Sequence, residues 1–439
     1  MDDRQARNPR VALIHYTAPP VVGGVEAVLA EHARLFIAAG YPTYIVVGRG
    51  GAAGLPKGAS IRIIPEIDSE PPANQALMAQ LLASPPAEFG GGELPSGFWA
   101  LSGKIETALA QALESVDVVI AHNVMTMHFN LALTAALHRL KDKGVVRHLV
   151  VWCHDVSRYV NPTSGAPQRF GPPWDLLRTF RPDFRYVAVS PQRQRLLADI
   201  LGCPRERIRV IPNGVDPAAL LGLSDVGRHL ADAFGLLSAD LVLLMPVRIT
   251  RAKNVEYALR VTAALKAAGV RPRLVVTGPP DPHARDIEAY CDELRGLRRA
   301  LDLEEEAIFI YEGTSRLPRP LLLDPSHVAE LYRICDLVLM PSHREGFGMP
   351  VLEAGLVDKP IFATWMPVME GLDEGMYHRI APDEPPEHVA ARILEWAEQD
   401  PSHRLRRRVR QAYTWSTVFA RLIEPLLAEL MATSAEGAA

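Results

Sequence analysis

The sequence predicts an α/β protein with two doubly wound domains, each built around a parallel β-sheet. Short runs rich in β-branched and aliphatic residues alternate with helical patterns through nearly all of the 439 residues, as in chains made of βαβ units. The alternation restarts after a less ordered composition at 218–240. Hydrophobic residues make up 48% of the chain, which is enough to bury two large cores.

Each half of the chain supplies its own set of strand candidates. The first candidate, "VALIHY", leads into a helix whose Val25, Leu29 and Phe36 share one stripe at helical spacing, and Gly40 follows as its stop signal. The seven candidates of the first half lie at 11–16, 43–47, 61–65, 117–121, 146–153, 186–189 and 208–211. The five of the second half lie at 241–247, 271–278, 307–311, 336–341 and 360–364.

The restart of the strand–helix alternation gives the expected domain limits. We expect an N-terminal domain at 1–217, a C-terminal domain at 218–402, and helices at 403–439 that pack back on the first domain. Proline and glycine are frequent at 69–102 and 161–173, so both stretches are expected to be irregular.

Composition argues against several classes of protein. The chain has 47 basic and 51 acidic residues and a formal net charge of −4, a balance that disfavours binding to nucleic acid. No run approaches the ~18 apolar residues of a membrane helix, and the first apolar run is too short for a signal peptide.

The four cysteines lack a CxxC spacing, as in reduced cytoplasmic proteins. We expect a cytoplasmic protein; the basic run "HRLRRRVR" is either a solvated helix face or a peripheral contact at the inner membrane face.

The stretch "SHREGFGMPVLEAG" holds two carboxylates eight positions apart, Glu345 and Glu353. It follows a strand candidate, so it leaves the carboxyl end of a parallel strand, where open α/β sheets bind ligands. Gly346 and Gly348 permit close approach of a ligand to the backbone, and Pro350 fits a helix whose first N–H groups would face a phosphate. A ligand that carries both phosphate and hydroxyl groups would use the amides and the acids together. The alternative is an ordinary strand–helix junction with two solvated glutamates.

Two further loops have features of an anion site. Arg248 and Lys253 lie between a strand candidate and the start of a helix, where cations oppose the helix dipole and an anionic ligand would account for both. Gly23 and Gly24 lie between the first strand and the first helix, where backbone amides can approach a pyrophosphate. Solvated surface cations and a simple turn are the respective alternatives.

Together these motifs resemble the retaining glycosyltransferases of the GT-B fold, in particular the group-1, or family 4, class. The resemblance is carried by "GGVE", "VWCHD", "IPNGVD", "VRITRAKN" and "EGFGMPVLE", which stand in the family's order and cover nearly the whole chain. It implies two Rossmann-like domains facing across a cleft, with the acceptor side in the first and the donor nucleotide in the second. It also implies transfer of a hexose, with retention, from a nucleotide-diphosphate sugar of the GDP-mannose or UDP-glucose type to a hydroxyl acceptor, without a tightly bound cofactor.

The resemblance implies a catalytic set of four residues. Arg248 and Lys253 would neutralise the diphosphate, and Glu345 would bind hydroxyls of the transferred sugar, positioning it rather than attacking it. His154 would approach the sugar from the first domain; its alternative is a strand-end histidine bonded to Asp155 or to backbone. The chain contains no Asp-x-Asp, so the resemblance implies transfer without a metal ion.

The same resemblance implies the groups that hold the nucleotide. Glu353 would bind the ribose hydroxyls, and Gly24, next to Gly23, would add a backbone contact to the diphosphate. The amides of Phe347, Gly348 and Met349 would line the same pocket. Two other functions remain open from the sequence: a sugar-nucleotide epimerase or phosphorylase of the same fold, and a non-catalytic relative with a scaffolding or regulatory role.

Overall fold

A computed structural model describes residues 8–83, 94–312, 323–372 and 375–436 of the chain. The described residues form two compact units. The first contains the residues up to Gly214 together with those from Trp415 onward, and the second contains Val215–Thr414. None of the helices in these described ranges is both long enough and apolar enough to cross a membrane.

The first unit is built on a sheet of seven parallel strands. The strands are β1 (Val11–Thr17), β2 (Thr43–Arg49), β3 (Ser60–Ile63), β4 (Val118–His122), β5 (His148–Cys153), β6 (Arg185–Ala188) and β7 (Ile208–Val210). Their order is β3-β2-β1-β4-β5-β6-β7, and each neighbouring pair is parallel. The order reverses between β1 and β4, so the carboxyl ends of these two strands flank a topological switch point, where such sheets bind ligands.

Helices and short 3₁₀ turns connect these strands. The helices are α1 (Gly24–Ala38), α2 (Pro72–Ala83), α3 (Gly97–Leu113), α4 (Leu131–Asp142) and α5 (Pro191–Leu201). The 3₁₀ turns are Pro65–Ile67, Trp174–Leu177 and Arg205–Arg207. Every residue of β1 and of β4 is buried, which explains why these strands are continuous apolar runs rather than alternating ones.

The second unit repeats the plan with six parallel strands. They are β8 (Leu241–Met245), β9 (Pro272–Val276), β10 (Ala307–Phe309), β11 (Leu337–Met340), β12 (Ile361–Thr364) and β13 (His378–Ile380), in the order β10-β9-β8-β11-β12-β13. All five neighbouring pairs are parallel. The switch point here lies between β8 and β11, the two strands that precede the predicted phosphate loops.

The helices of the second unit pack on both sides of its sheet, and two hydrophobic cores lie between the layers. The helices are α6 (Pro217–Leu220), α7 (Asp225–Ala233), α8 (Val255–Ala267), α9 (Ile287–Ala300), α10 (Pro325–Ile334), α11 (Met349–Leu356), α12 (Pro386–Gln399) and α13 (Pro401–Ala412). The 3₁₀ turns are Arg251–Lys253, Ile310–Glu312 and Pro367–Met369.

The chain then returns to the first unit in α14 (Trp415–Val418), a π-helical turn (Phe419–Ile423) and α15 (Glu424–Glu436). Apolar residues of this segment, among them Trp415 and Leu427, share a core with the strands and α1 of the first unit. Gly214, in "IPNGVD", lies against the start of this segment, because a Cβ there would be 2.7 Å from the backbone nitrogen of Trp415.

The chain crosses between the units at Val215 and Trp415, not at the expected 218 and 403. The second difference arises because α13 belongs to the second unit. Arg410 of α13 donates to the Asp336 carboxylate at 2.9 Å and to the Ile334 carbonyl at 2.7 Å. This anchor holds the basic run "HRLRRRVR" on the second unit, and only the segment after it packs on the first.

All twelve predicted strands form, and their ends differ from the predicted ones by two residues or fewer. The sequence missed β13, a three-residue strand, "HRI", without an apolar run. The prediction of an irregular stretch at 69–102 is wrong for its described part, because α2 and the start of α3 lie there; Pro72 occupies the first position of α2, where it needs no hydrogen-bond partner. Residues 84–93 lie outside the described residues, and 161–173 contains no helix or strand, as predicted.

Candidate functional site

Two backbone hydrogen bonds join the loop that carries Arg248 to the loop that follows β9. The Gly278 nitrogen donates to the Val247 carbonyl at 3.1 Å, and the Ile249 nitrogen donates to the Pro279 carbonyl at 3.1 Å. A Cβ at Gly278 would lie 2.3 Å from the Val247 oxygen, so only glycine allows this approach. Arg248 itself is exposed and, within the described residues, forms no ion pair or side-chain hydrogen bond.

Lys253 and Glu345 form a largely buried ion pair. Lys253 Nζ donates to Glu345 Oε2 at 2.6 Å, and Ser342 Oγ donates to the other carboxylate oxygen at 2.7 Å. The Glu345 side chain is 6% exposed and that of Lys253 is 20% exposed. The two loops are also joined through backbone, because the His343 nitrogen donates to the Ala252 carbonyl at 2.8 Å. The carboxylate is therefore held in a fixed place beside a cation.

The glycine-rich loop ends in the N-terminus of α11. Gly348 precedes the helix with φ 81° and ψ 38°, a left-handed conformation that glycine adopts without strain. Pro350, the second residue of α11, has no N–H, and the Val351 nitrogen donates to the Gly348 carbonyl at 2.9 Å. Among the described residues, the backbone nitrogens of Phe347, Gly348 and Met349 have no acceptor, so these N–H groups, together with the dipole of α11, favour an anion. Phe347 and Met349 beside them are 57% and 53% exposed, so two large apolar side chains face solvent at this point.

These three loops surround one cleft of about 940 Å³, a size that suits a nucleotide-sized ligand. The lining includes Arg248, Lys253, Glu345, the segment Phe347–Met349 and His283. Glu353 does not line it. Its carboxylate accepts a hydrogen bond from the Tyr332 hydroxyl at 2.6 Å, and burial together with this bond raises the pKa of Tyr332.

In the first unit, Gly23 and Gly24 open α1. A Cβ at Gly23 would lie 2.1 Å from Glu26 Oε2, whereas a Cβ at Gly24 would meet no atom within 4 Å. Glu26 is fixed by Thr17, whose hydroxyl donates to it at 2.5 Å, and by His15, whose Nε2 lies 3.7 Å away. The hydrogen bond with His15 and that with Thr17 lower the pKa of Glu26 to about 2.

His154 follows β5 and belongs to a cluster of four histidines. Its Nε2 lies 3.0 Å from Nδ1 of His122, and its backbone nitrogen donates to Asn123 Oδ1 at 2.8 Å. Asp155 does not bond the ring; its carboxylate pairs with Arg193 at 3.1 Å. The other members of the cluster are His15 and His32. Within the described ranges, no group of three or more histidine, cysteine, aspartate or glutamate side chains could hold a metal ion.

Two family descriptions match this chain, one for each half. Residues 22–219 match the family described as "Glycosyltransferase Family 4", and residues 231–414 match the one described as "Glycosyl transferases group 1". The two matches follow each other without overlap and fall on the two doubly wound units. The chain belongs to the group 1 glycosyltransferases.

Several known proteins are similar to this group 1 glycosyltransferase. The D-inositol 3-phosphate glycosyltransferase of Kineococcus radiotolerans is 33% identical over 41% of this chain and 39% of its own length, so the chain spans about two fifths of that relative. The D-inositol 3-phosphate glycosyltransferase 1 of Catenulispora acidiphila is 26% identical over 81% of this chain and 79% of its own. A solved sucrose-phosphate synthase of Thermosynechococcus elongatus is 17% identical, with a TM-score of 0.37 over 97% of this chain and all of that one.

The predicted fold class, two Rossmann-like parallel-sheet domains of the GT-B type, is confirmed. Of the predicted site residues in the second unit, the structure brings together Arg248, Lys253, Glu345 and Phe347–Met349. Glu353 lies one turn farther along α11, outside the lining of the cleft. Gly23, Gly24 and His154 lie in the other unit and stay predictions. Sequence reasoning missed three supporting residues: Gly278, Glu26 and His122.

The buried histidines make the glycosyltransferase sensitive to acid. Burial lowers the pKa of His32 to about 3 and that of His154 to about 4, whereas an unfolded histidine titrates near 6.5. Below that pH the unfolded state binds protons that the folded state does not, so stability falls by about 1.4 kcal/mol per pH unit for each such histidine. Both ring nitrogens of His32 lack a hydrogen-bond partner within the described residues. Replacing His32 by leucine removes this buried titratable ring.

We therefore expect the wild type to lose about 2 kcal/mol more stability than His32→Leu between pH 7 and pH 5. Urea unfolding at both pH values measures the difference. The matched control is His229→Leu, which removes an exposed histidine instead of a buried one. Equal slopes in the wild type and His32→Leu would show that His32 is not held neutral.

Proposed function

We propose that this chain is a retaining glycosyltransferase that moves a hexose from a nucleotide-diphosphate sugar to a hydroxyl acceptor. The observation that supports it most is Arg248, which has no ion-pair partner among the described residues, beside the Lys253–Glu345 pair at the N-terminus of α11. The cleft thus combines two cations and the backbone N–H groups of Phe347–Met349, which suit a diphosphate, with a fixed carboxylate, which suits a sugar hydroxyl. Family membership supports the same reaction class.

The chemical task is to stabilise negative charge that builds up on the departing diphosphate. Arg248, Lys253 and the N–H groups of α11 would contact its oxygens, and each well-placed donor of this kind contributes about 10²- to 10³-fold to turnover. Because these groups carry the compensating charge, we expect transfer to continue in the presence of a chelator. Phe347 and Met349, both more than half exposed, would be covered by the ligand.

Glu345 would accept hydrogen bonds from hydroxyls of the transferred hexose. Its Oε1 already accepts from Ser342 and its Oε2 from Lys253, so the carboxylate is oriented and neutralised rather than free to attack. In this proposal the departing phosphate takes the proton of the acceptor hydroxyl, and the acceptor oxygen attacks from the face that the diphosphate leaves. Glu353 accepts a hydrogen bond from Tyr332 and lies just outside the lining of the cleft, so a contact with the ribose requires the nucleoside to extend beyond that lining.

Glu345→Gln tests this assignment because glutamine keeps the shape and removes the charge. Turnover should fall by about 10- to 100-fold, the loss expected for a hydrogen bond to a charged group. Nucleoside-diphosphate affinity should not weaken, since Lys253 loses its competing partner. Steady-state kinetics and calorimetry measure the two effects. A glycosyl ester trapped on Glu345 and seen by mass spectrometry would contradict the positioning role.

The decisive experiment for the function is a panel of sugar nucleotides that includes GDP-mannose and UDP-glucose. Slow donor hydrolysis identifies the donor, and product NMR with added acceptors gives the anomeric configuration. The names of the relatives make D-inositol 3-phosphate the first acceptor to test. A rearranged sugar nucleotide with no acceptor consumed would instead indicate an epimerase, and absence of nucleotide binding would indicate a non-catalytic scaffold.

A further inference from the structure

His122 is the last residue of β4, and its ring is fully buried against that of His154. Its Nδ1 lies 3.0 Å from Nε2 of His154, and the two rings stack with centroids 5.4 Å apart and planes 20° apart. The backbone of His154 is held as well, because Asn123 Oδ1 accepts from its nitrogen at 2.8 Å and from that of Asp155 at 3.0 Å. The position and the plane of the His154 ring are therefore both fixed.

The hydrogen bond between two histidine nitrogens contains a single proton, and the surroundings decide which ring supplies it. Burial lowers the pKa of His122 well below its usual value and that of His154 to about 4, so each ring is neutral at pH 7 and carries one N–H. If His154 donated from Nε2, His122 would carry its own proton on Nε2, which is buried without a partner among the described residues. A buried N–H without an acceptor is rare. If His122 donates from Nδ1, only a lone pair is left unpaired.

Among the described residues, His154 is the one hydrogen-bond partner of the His122 ring. The His122 carbonyl can only accept, and it accepts from Nδ1 of His15 at 2.8 Å. His15 in turn faces the Glu26 carboxylate of α1. On the other side, the His32 ring packs 5.2 Å from that of His122 and offers it no hydrogen bond. The His122 ring is enclosed by the rings of His32, Trp152 and His154, and its Nδ1 points at His154.

We infer that His122 is a positioning residue that keeps the proton of His154 on Nδ1, so that this atom donates a hydrogen bond to an oxygen of the bound sugar. Nδ1 of His154 forms no hydrogen bond within the described residues and the residue is partly exposed, so this atom is free for a ligand. The inference rests on the proposed function only for the identity of that ligand. The tautomer itself is a property of the free protein.

The tautomer is measured directly by ¹⁵N NMR of the full chain labelled in its histidine rings, at pH 7. The signals of His154 are assigned by their loss in His154→Gln. We expect Nδ1 of His154 to be protonated and Nε2 to be bare in the wild type, and the proton to move to Nε2 in His122→Phe. A wild-type His154 protonated on Nε2 would overturn the inference.

Kinetics test the consequence. His122→Phe should lower kcat by about 10-fold, the loss expected when one hydrogen bond to the sugar is weakened, while KM for the donor stays the same. His122→Asn should recover most of the loss, because its amide can donate from nearly the position of Nδ1. The matched control is His138→Phe, since His138 is buried in α4 against Phe184 and away from the cluster; kcat should be unchanged.

The possible outcomes separate this inference from the proposed function. Equal losses of kcat in His122→Asn and His122→Phe would contradict the positioning role, as they would show a structural effect only. If no sugar nucleotide is turned over by the wild type, the proposed function fails, and the NMR result alone decides whether His122 sets the tautomer.

Discussion

Lys253→Ala is expected to lower turnover of the sugar nucleotide by about 10²- to 10³-fold, and Arg248→Ala by a similar factor. Both cations lie at the cleft of the second unit, where they would compensate the charge of the leaving diphosphate. Nucleoside-diphosphate affinity should weaken in both variants. Steady-state kinetics and calorimetry with the full chain measure the two effects.

The control for this prediction is Arg251→Ala. Arg251 lies in the same 3₁₀ turn as Lys253, but its guanidinium bonds Glu293 at 2.7 Å and stacks on Tyr290, outside the cleft. Turnover should be unchanged. Unchanged turnover in both Arg248→Ala and Lys253→Ala as well would mean that the diphosphate binds elsewhere.

Lys253 has a second role, which a double variant separates from the first. Its amine compensates the Glu345 carboxylate in the free protein, so Lys253→Ala could act only by leaving that carboxylate unpaired. The variant Lys253→Ala/Glu345→Gln removes this effect. If Lys253 contacts the diphosphate, the double variant does not regain nucleoside-diphosphate affinity. Full recovery would show that Lys253 serves Glu345 alone.

Asp336→Ala is expected to destabilise the second unit by about 3–5 kcal/mol, the usual cost of removing one partner of a buried ion pair. The Asp336 side chain is fully buried. Its Oδ2 accepts from Arg410 at 2.9 Å and from the Val242 nitrogen at 2.8 Å, and Arg406 Nε lies 3.6 Å from Oδ1. Alanine would leave the Arg410 charge uncompensated inside the protein.

Urea unfolding measures this loss, and the control is Glu293→Ala. Glu293 also pairs with an arginine, but both side chains are more than half exposed, and such pairs contribute little. Its unfolding midpoint should not change. If Asp336→Ala also leaves the midpoint unchanged, α13 is not anchored through this carboxylate.

The strands could be predicted from the sequence because parallel strands buried on both faces are continuous apolar runs. Strand β13 has no such run, and its residues are set by pairing with β12. Helix α2 was missed because Pro72 suggested a loop, although a proline at the first helical position leaves the hydrogen bonds of the helix intact.

The candidate site could be predicted in its parts but not in its contacts. The types and spacing of Arg248, Lys253 and Glu345 indicated an anion and a polyol. The pairing of Lys253 with Glu345 joins residues 92 positions apart and depends on the order of β8 and β11 in the sheet. The close approach at Gly278 and the hydrogen bond between His122 and His154 also depend on which strands are neighbours in the sheet. A local sequence pattern therefore does not predict them.

The central claim is that the loops after β8 and β11 and the N-terminus of α11 hold the diphosphate of an activated sugar. A crystal structure of the full chain with a nucleoside diphosphate tests it most directly. The account predicts diphosphate oxygens within hydrogen-bonding distance of Arg248, Lys253 and the amides of Gly348 and Met349. A nucleotide bound in another place, with these groups left without contact, would contradict it.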